Sequence, residues 1–400
     1  LLTDKVLKNI QIQELRGFFK DNDVKGRSTR INASSTPLKY LEYLNVIEEE
    51  IASNEVGTLT SEVVDQFVFE HLFYANSNIH FVFRFSSYLH EIPRTDAEIT
   101  RIFTRMPQLM FNQSLVDWDD NTRRINLCTT RSTYFDDGQL KSLLFLFRVA
   151  NLEMEHGMTS VFCGVTLDFE HDLLIVKFNQ NQFTRLDGES LLHVISIKNA
   201  LSGAGDFADS FAWMRINLQQ LNEDTVNSTI YRLFRELSLE AERLLDSKMT
   251  EENLMHIENF MENIGLNDLE PKLKEEYMKQ IKAVIFQDIS RTMEDTRFEN
   301  GWVFKLGFRE GDNSRASQNA EKRSPVYSQQ VFWQLKEIIH RTGKMQEGGF
   351  HWKFENSFVD VRMESKNGAL LVYYYSRLRS ERREKEEYVL RKIAENFQFE

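Results

Sequence analysis

Asp360, Glu364 and Lys366 fall within FVDVRMESK in the order Asp…Glu-x-Lys. In a metal-dependent nuclease or phosphoesterase, two carboxylates and a lysine in this order hold Mg²⁺ or Mn²⁺ and polarise the attacking water. All three positions are even-numbered, so an extended strand puts them on one face, with Val359, Val361 and Met363 on the other. The solvent-facing side of any amphipathic strand reads the same way. The trio is therefore a candidate catalytic set whose pattern does not require an ion, and without that chemistry no metal or other cofactor is expected.

The same strand carries a second kind of chemistry. Asn367-Gly368 is the dipeptide of a type I′ hairpin turn. A turn there sets Arg362 opposite Tyr373 and Asp360 opposite Tyr375, with Tyr373 and Tyr375 on the polar face. The segment that follows, residues 376–392, holds 7 basic and 4 acidic side chains, among them Arg377, Arg379, Arg382 and Arg383. Tyrosine faces beside guanidinium groups can stack nucleobases while arginines neutralise phosphate. Interleaved glutamates also suit a helix that pairs its own charges at i, i+4, with the tyrosines packed beneath it.

Other patterns fail at named positions. Gly203-Ala204-Gly205-Asp206-Phe207-Ala208 fits G-x-G-x-x-A but precedes a helical segment where a second strand is needed, so a helix-entry turn is expected. Asp117, Asp119 and Asn121 begin like a calcium loop, but Thr122 stands where glycine is required and Cys128 where a bidentate carboxylate is required. His156 with Cys163, or Asp168, Glu170, His171 and Asp172, lack the paired-histidine spacing of a metal site. The latter group reads as a hairpin tip. P-loop, zincin and nucleophile-elbow motifs are missing.

The elements that must position these residues divide the chain into four expected segments. Residues 1–55 read as helical, with Leu38, Leu41, Leu44 (or Tyr43) and Ile47 at helical spacing after Pro37. Lys20, Lys25, Arg27 and Arg30 form a basic cluster in the joint between its helices. Here ELRGFFKDNDVKGR resembles the first half of a helix–extended–helix DNA-binding module of the SAP type, but STRINASSTP does not supply the Leu-rich second helix. No function follows from this resemblance.

Residues 56–205 read as a mixed α/β domain. Ile79, Phe81, Phe83 and Phe85 alternate as in a half-buried strand, Thr95 and Glu98 form a capping box, and VFCGVTLDF and LLIVKF flank the Glu170-His171-Asp172 turn. Residues 206–298 read as almost wholly helical and acidic, with 17 acidic against 10 basic side chains over 222–298, and with Thr250 and Pro271 as helix starts. Residues 299–400 read as a separate α+β domain. In it, WVFKLGF is a strand, REGDNSRASQNAEKR a long polar loop, Ser324-Pro325 a helix start and Gly343 its stop, and HWKF, FVDVRMESK and ALLVYYY a three-strand meander. The fold class is thus α+β and multi-domain, with an N-terminal mixed α/β sheet region, a central helical region and a C-terminal α+β domain.

Charge is unevenly spread over the 400 residues. The last hundred hold 18 Lys+Arg against 14 Asp+Glu, whereas the first 300 hold 31 against 47. Two cysteines cannot form a disulfide framework, which points to a reducing compartment. No run approaches the ~20 apolar residues of a membrane span, and the charged N-terminus has no secretory signal pattern. Leu1 is consistent with a UUG start in a prokaryotic frame, or with trimming. The expected protein is a cytoplasmic, prokaryotic, non-catalytic binding or adaptor protein. It would contact nucleic acid or an acidic partner through Arg362, Tyr373, Tyr375, Arg377, Arg379, Arg382 and Arg383, and work as a homo-oligomer or with a protein partner. The alternatives are the nuclease at Asp360, Glu364 and Lys366, and a protein-interaction scaffold built on the acidic helices.

Overall fold

The apolar runs of residues 126–178 are too long and too continuous for strands with one wet face. In the computed structural model they form strands buried on both sides. The structure describes residues 2–400 except 25–30, 32–35, 54–58, 88–94, 119–124, 187–189, 202–215, 220, 267–268, 293–297, 311–313, 376–380 and 398–400. Its class is α+β, and the chain divides into two compact units.

The first unit comprises residues 1–220 and 377–383. Its helices are α1 (Asp4–Leu7), α2 (Ile12–Asp21), α3 (Thr36–Ala52), α4 (Ser61–Glu70), α5 (Asp96–Thr104), α6 (Gln180–Phe183) and α7 (Ser190–Leu201). Its strands are β1 (Ile79–Ser87), β2 (Asn126–Tyr134), β3 (Leu140–Met154), β4 (Gly157–Asp168), β5 (Leu173–Phe178) and β6 (Ile216–Gln219). These form an antiparallel sheet in the order β2-β3-β4-β5-β1-β6. The N-terminal helices pack Leu15, Phe19, Tyr43, Val46, Ile47, Phe69 and Phe73 against Cys128, Leu144, Leu146 and Phe162 of the sheet. Residues 1–55 and 56–205 therefore share one core and are not separate segments.

Three sequence expectations change in this unit. In β1, His80 and Val82 are as buried as Phe81 and Phe83, so the strand is covered on both faces and not half-buried. In α3 the inward stripe is Tyr40, Tyr43, Leu44 and Ile47, while Leu38 and Leu41 are exposed. The region after 205 is not wholly helical, because β6 pairs with β1. The Thr95–Glu98 capping box forms at the start of α5. The Gly203–Ala208 pattern, Asp119, Asn121, Lys25, Arg27 and Arg30 lie outside the described residues.

The second unit comprises residues 221–376 and 384–400. Its helices are α8 (Glu223–Asp246), α9 (Glu251–Asn263), α10 (Pro271–Thr292), α11 (Gln330–Thr342) and most of α12 (Arg382–Asn396). Its strands are β7 (Gly301–Glu310), β8 (Ser314–Asn319), β9 (Glu347–Phe354), β10 (Ser357–Lys366) and β11 (Ala369–Tyr374), ordered β11-β10-β9-β7-β8 and antiparallel throughout. Helix α8 buries Val226, Ile230, Leu233, Phe234, Leu237, Ala241 and Leu245, a stripe at three- and four-residue spacing. It lies along β7, β9 and β10. The acidic helical region thus shares a unit with the C-terminal strands, because α8 supplies the apolar face that covers their sheet.

The Asn367-Gly368 turn has positive φ at both positions, 54° and 71°, as a type I′ turn requires. It yields the expected register, with Arg362 opposite Tyr373 and Met363 opposite Val372. Thr250 caps α9, Pro271 opens α10, and Gly343 ends α11 in a left-handed conformation. Within the expected polar loop at 309–323, Ser314–Asn319 instead form strand β8, paired to β7. Helix α11 begins at Gln330 rather than Ser324, after a short 3₁₀ turn at Val326–Ser328.

Candidate functional site

One face of the second unit's sheet packs on α8; the other is polar. Strand alternation assigns to the polar face Trp302 and Lys305 on β7, Glu347, Gly349 and His351 on β9, Asp360, Arg362 and Glu364 on β10, and Tyr373 on β11. A bulge between Val303 and Lys305 turns Phe304 toward Gly349 as well. A Cβ at Gly349 would stand 2.6 Å from both Phe304 Cε2 and Lys305 Cβ, so only glycine lets that ring cross the strand. Phe304 in turn meets the Tyr375 ring edge-on, at 5.6 Å between centroids.

Two arginines lie on tyrosine rings. Arg362 Cζ is 4.0 Å from the Tyr373 centroid, and Arg323 Cζ is 5.1 Å from that of Tyr375. Each guanidinium is also held by carboxylates. Arg362 pairs with Glu347 at 3.5 Å and Glu364 at 3.5 Å, and Arg323 Nε meets Asp360 at 3.1 Å. Lys305 Nζ reaches Glu347 at 2.6 Å. His351 Nδ1 hydrogen-bonds the other Asp360 oxygen, and its ring stacks on Trp302 at 3.9 Å and tilts against Phe358 at 4.3 Å. Three cations thus face three carboxylates, and the patch is close to charge-balanced. What remains open to a ligand is aromatic: Tyr375 is 44% exposed and Phe358 40%. Burial and the Glu364 carboxylate push the Tyr373 hydroxyl up to about 12, so it remains a donor, and it donates to Glu364 at 3.2 Å.

The carboxylates do not converge on one ion. Four residues of strand separate the Asp360 and Glu364 backbones by about 13 Å, and both Asp360 oxygens are engaged, by His351 and by Arg323. Lys366 is exposed at the end of β10. The geometry does not fit a Mg²⁺ or Mn²⁺ centre built from Asp360, Glu364 and Lys366.

Among the described residues, one group of potential metal ligands lies close together: Asp168, Glu170 and His171, with ligand atoms within 4.8 Å of one another. Asp168 accepts from the Glu170 backbone N–H at 2.9 Å and from His171 Nδ1 at 2.8 Å, and Glu170 faces Lys141 at 3.6 Å. That hydrogen bond raises the His171 pKa. These bonds are what a tight β4–β5 turn needs to satisfy its own polar groups.

The remaining candidates separate. Arg382 belongs to the first unit, is buried, and donates to the Ser77 carbonyl at 2.5 Å, so its guanidinium does not face solvent. Nearby, Lys177 lies over the Phe73 and Tyr74 rings at 4.4 and 4.8 Å, across β5–β1 from His80. Arg383 is exposed. Arg377 and Arg379 lie outside the described residues.

No protein-family model matches the chain, and no curated protein matches it. Any functional reading must come from the chain itself. Sequence reading missed Arg323, His351, Trp302 and Phe304. His351 was accessible in principle: Phe354 pairs with Ser357, and counting back from that turn sets His351 opposite Asp360. The meander requires a turn there, but its register is not signalled, because Glu355 carries the positive φ of 49° and glutamate does not mark such a position. Arg323 had no signal. It and Lys322 have consecutive positive φ values, 59° and 52°, in a turn where Trp302 Nε1 donates to the Arg323 carbonyl at 2.8 Å.

Proposed function

We propose that this chain is a non-catalytic binding protein whose C-terminal unit contacts single-stranded nucleic acid. The observation that carries the reading is the exposed Tyr375 ring. It lies beside Arg323 and Phe304 on the polar face and directly precedes the arginine-bearing segment 377–383. A base can stack on an aromatic face whatever its sequence, while flanking cations neutralise the backbone. Phe358, with exposed Lys353 paired opposite it, offers a second stacking position on the same face.

Because Arg362 is already shared between Glu347 and Glu364, and Arg323 meets Asp360, the phosphate-contacting role in this reading passes to the exposed Lys322 and Lys353 of the same unit. Two buried cysteines that form no disulfide, Cys128 and Cys163, support the accompanying cytoplasmic assignment. Among the described residues no helix is long and apolar enough to cross a membrane.

Fluorescence anisotropy with labelled single-stranded DNA and RNA, titrated at several salt concentrations, tests the proposal. Affinity should fall steeply with salt. Tyr375→Ala should weaken binding by about 5- to 150-fold, the equivalent of ~1–3 kcal/mol for one lost stack. Absence of binding to either polymer at low salt sinks the reading, and binding only to a polyanion without bases, such as heparin, would replace it with an acidic partner.

A further inference from the structure

Helix α10 is 22 residues long, about 33 Å at 1.5 Å per residue, yet its buried side chains, Phe286, Gln287 and Ser290, all lie in its C-terminal third. Leu273, Tyr277 and Val284 are exposed, Val284 at 59%. At 100° per residue these three fall within about 40° of one another, a single stripe. Helix α9 buries Ile257 and Met261 but exposes Phe260 and, just past its end, Ile264, four positions apart on one side. Met255 is exposed as well. Of the fifteen exposed large apolar side chains among the described residues, six lie between 255 and 284. Single exposed apolar residues need no explanation, but a concentration of this kind marks an interaction surface.

The charges indicate what covers it. Helix α9 carries Glu251, Glu252, Glu258 and Glu262, all exposed, and no lysine or arginine. Helix α10 carries Lys272, Lys274, Lys279, Lys282 and Arg291 against Glu275, Glu276 and Asp288. One helix is therefore acidic and the other basic, each beside an exposed apolar stripe. A two-fold axis brings such a pair onto its own copy twice, which is the definition of an isologous contact.

We infer that α9 and α10 form a homodimer interface, with α9 of one copy along α10 of the other. The apolar stripes supply the buried area, and the opposed helix charges set the pairing and disfavour α9 on α9.

Sedimentation equilibrium of the full chain tests this, with two charge variants on exposed or half-buried positions. Wild type should sediment at twice the 47.2 kDa chain mass, and added salt should weaken the dimer. Lys272→Glu/Lys274→Glu/Lys279→Glu makes both helices acidic, and Glu252→Lys/Glu258→Lys/Glu262→Lys makes both basic. Each variant alone should associate at least ~10-fold more weakly than wild type. Mixed in equal amounts they should restore a dimer containing one chain of each kind, since both contacts are then attractive. Circular dichroism matching wild type confirms that each variant is folded. A monomeric wild type, a variant that dimerises as well as wild type, or a mixture that stays monomeric would each overturn the inference.

Discussion

The Arg362 guanidinium lies 4.0 Å above the centre of the Tyr373 ring while the hydroxyl of that ring donates to Glu364, itself 3.5 Å from Arg362. The three side chains close a loop across β10 and β11, with Glu347 of β9 as a fourth member. Arg362 is therefore a structural cation. Its removal leaves two partly buried carboxylates, Glu347 at 11% and Glu364 at 24% side-chain exposure, with only Lys305 and the Tyr373 hydroxyl as their named partners.

Arg362→Ala should destabilise the second unit by about 1–3 kcal/mol, the loss of charge-assisted contacts to two partly buried carboxylates. Arg362→Lys should recover only part of this, because an ammonium cannot stack flat on the ring and bridge two carboxylates at once. Urea denaturation of Arg362→Ala, Tyr373→Leu and the double variant should give a coupling of about 0.5–2 kcal/mol. Additive losses would show that the stacked geometry contributes nothing.

How much of this face was legible in the sequence depended on turn chemistry. Asn367-Gly368 is unambiguous, and from it the Arg362–Tyr373 pairing followed. Strand β8 was not legible, because SRASQN has no apolar alternation; it is a strand only through its pairing with β7. The inward stripe of α3 was misjudged because leucines outrank tyrosines in any hydrophobic pattern, whereas the helix buries Tyr40 and Tyr43, with the Tyr40 hydroxyl donating to the Ile10 carbonyl at 3.1 Å. Domain grouping failed for a related reason. Periodicity finds α8, but which sheet its apolar stripe covers is tertiary information.

Glu242 on α8 links the pH response of the second unit to α11. Burial raises its pKa, but the neighbouring His340 and Lys336 outweigh burial and leave it lowered. Lys336 lies 2.8 Å away, and His340 also shares a 3.0 Å hydrogen bond with Tyr231. A carboxylate with a lowered folded pKa contributes stability above its unfolded value near 4.5 and loses it as pH falls through the folded value. Glu242→Gln should therefore cost about 1–3 kcal/mol at neutral pH. The gap to wild type should close as pH drops below that range. Urea midpoints across the pH series check it, and a gap independent of pH would exclude the ion pair as the cause.

His80 makes the first unit acid-sensitive in a different window. Complete burial, followed by the fields of Lys177 and Arg382, lowers its pKa well below 6.5. The folded state then keeps a neutral imidazole while the unfolded chain takes up a proton below the ordinary value. Stability should fall as pH drops below about 6.5, by up to about 1.4 kcal/mol per pH unit from this group. His80→Gln should flatten that slope between about pH 6.5 and pH 5, whatever its effect at neutral pH. Thermal unfolding of wild type and variant across the window is the measurement, and an unchanged slope would show that another group binds the proton.

Gly348 and Gly17 should respond to the same substitution with opposite signs. A Cβ at Gly348 would meet Phe350 Cζ at 2.6 Å and Ile230 Cγ2 at 3.0 Å, so the contact between β9 and α8 has no room for it. Gly348→Ala should cost about 1–3 kcal/mol through overpacking. Gly17 lies inside α2 with nothing within 4 Å of the added carbon. Gly17→Ala should stabilise by about 0.5–1 kcal/mol, because alanine has less backbone freedom to lose on entering a helix. Denaturant midpoints of the two variants, measured side by side, decide whether the close approach of α8 to β9 or a general intolerance of the chain sets the cost at Gly348. Equal losses at both sites would point to the latter.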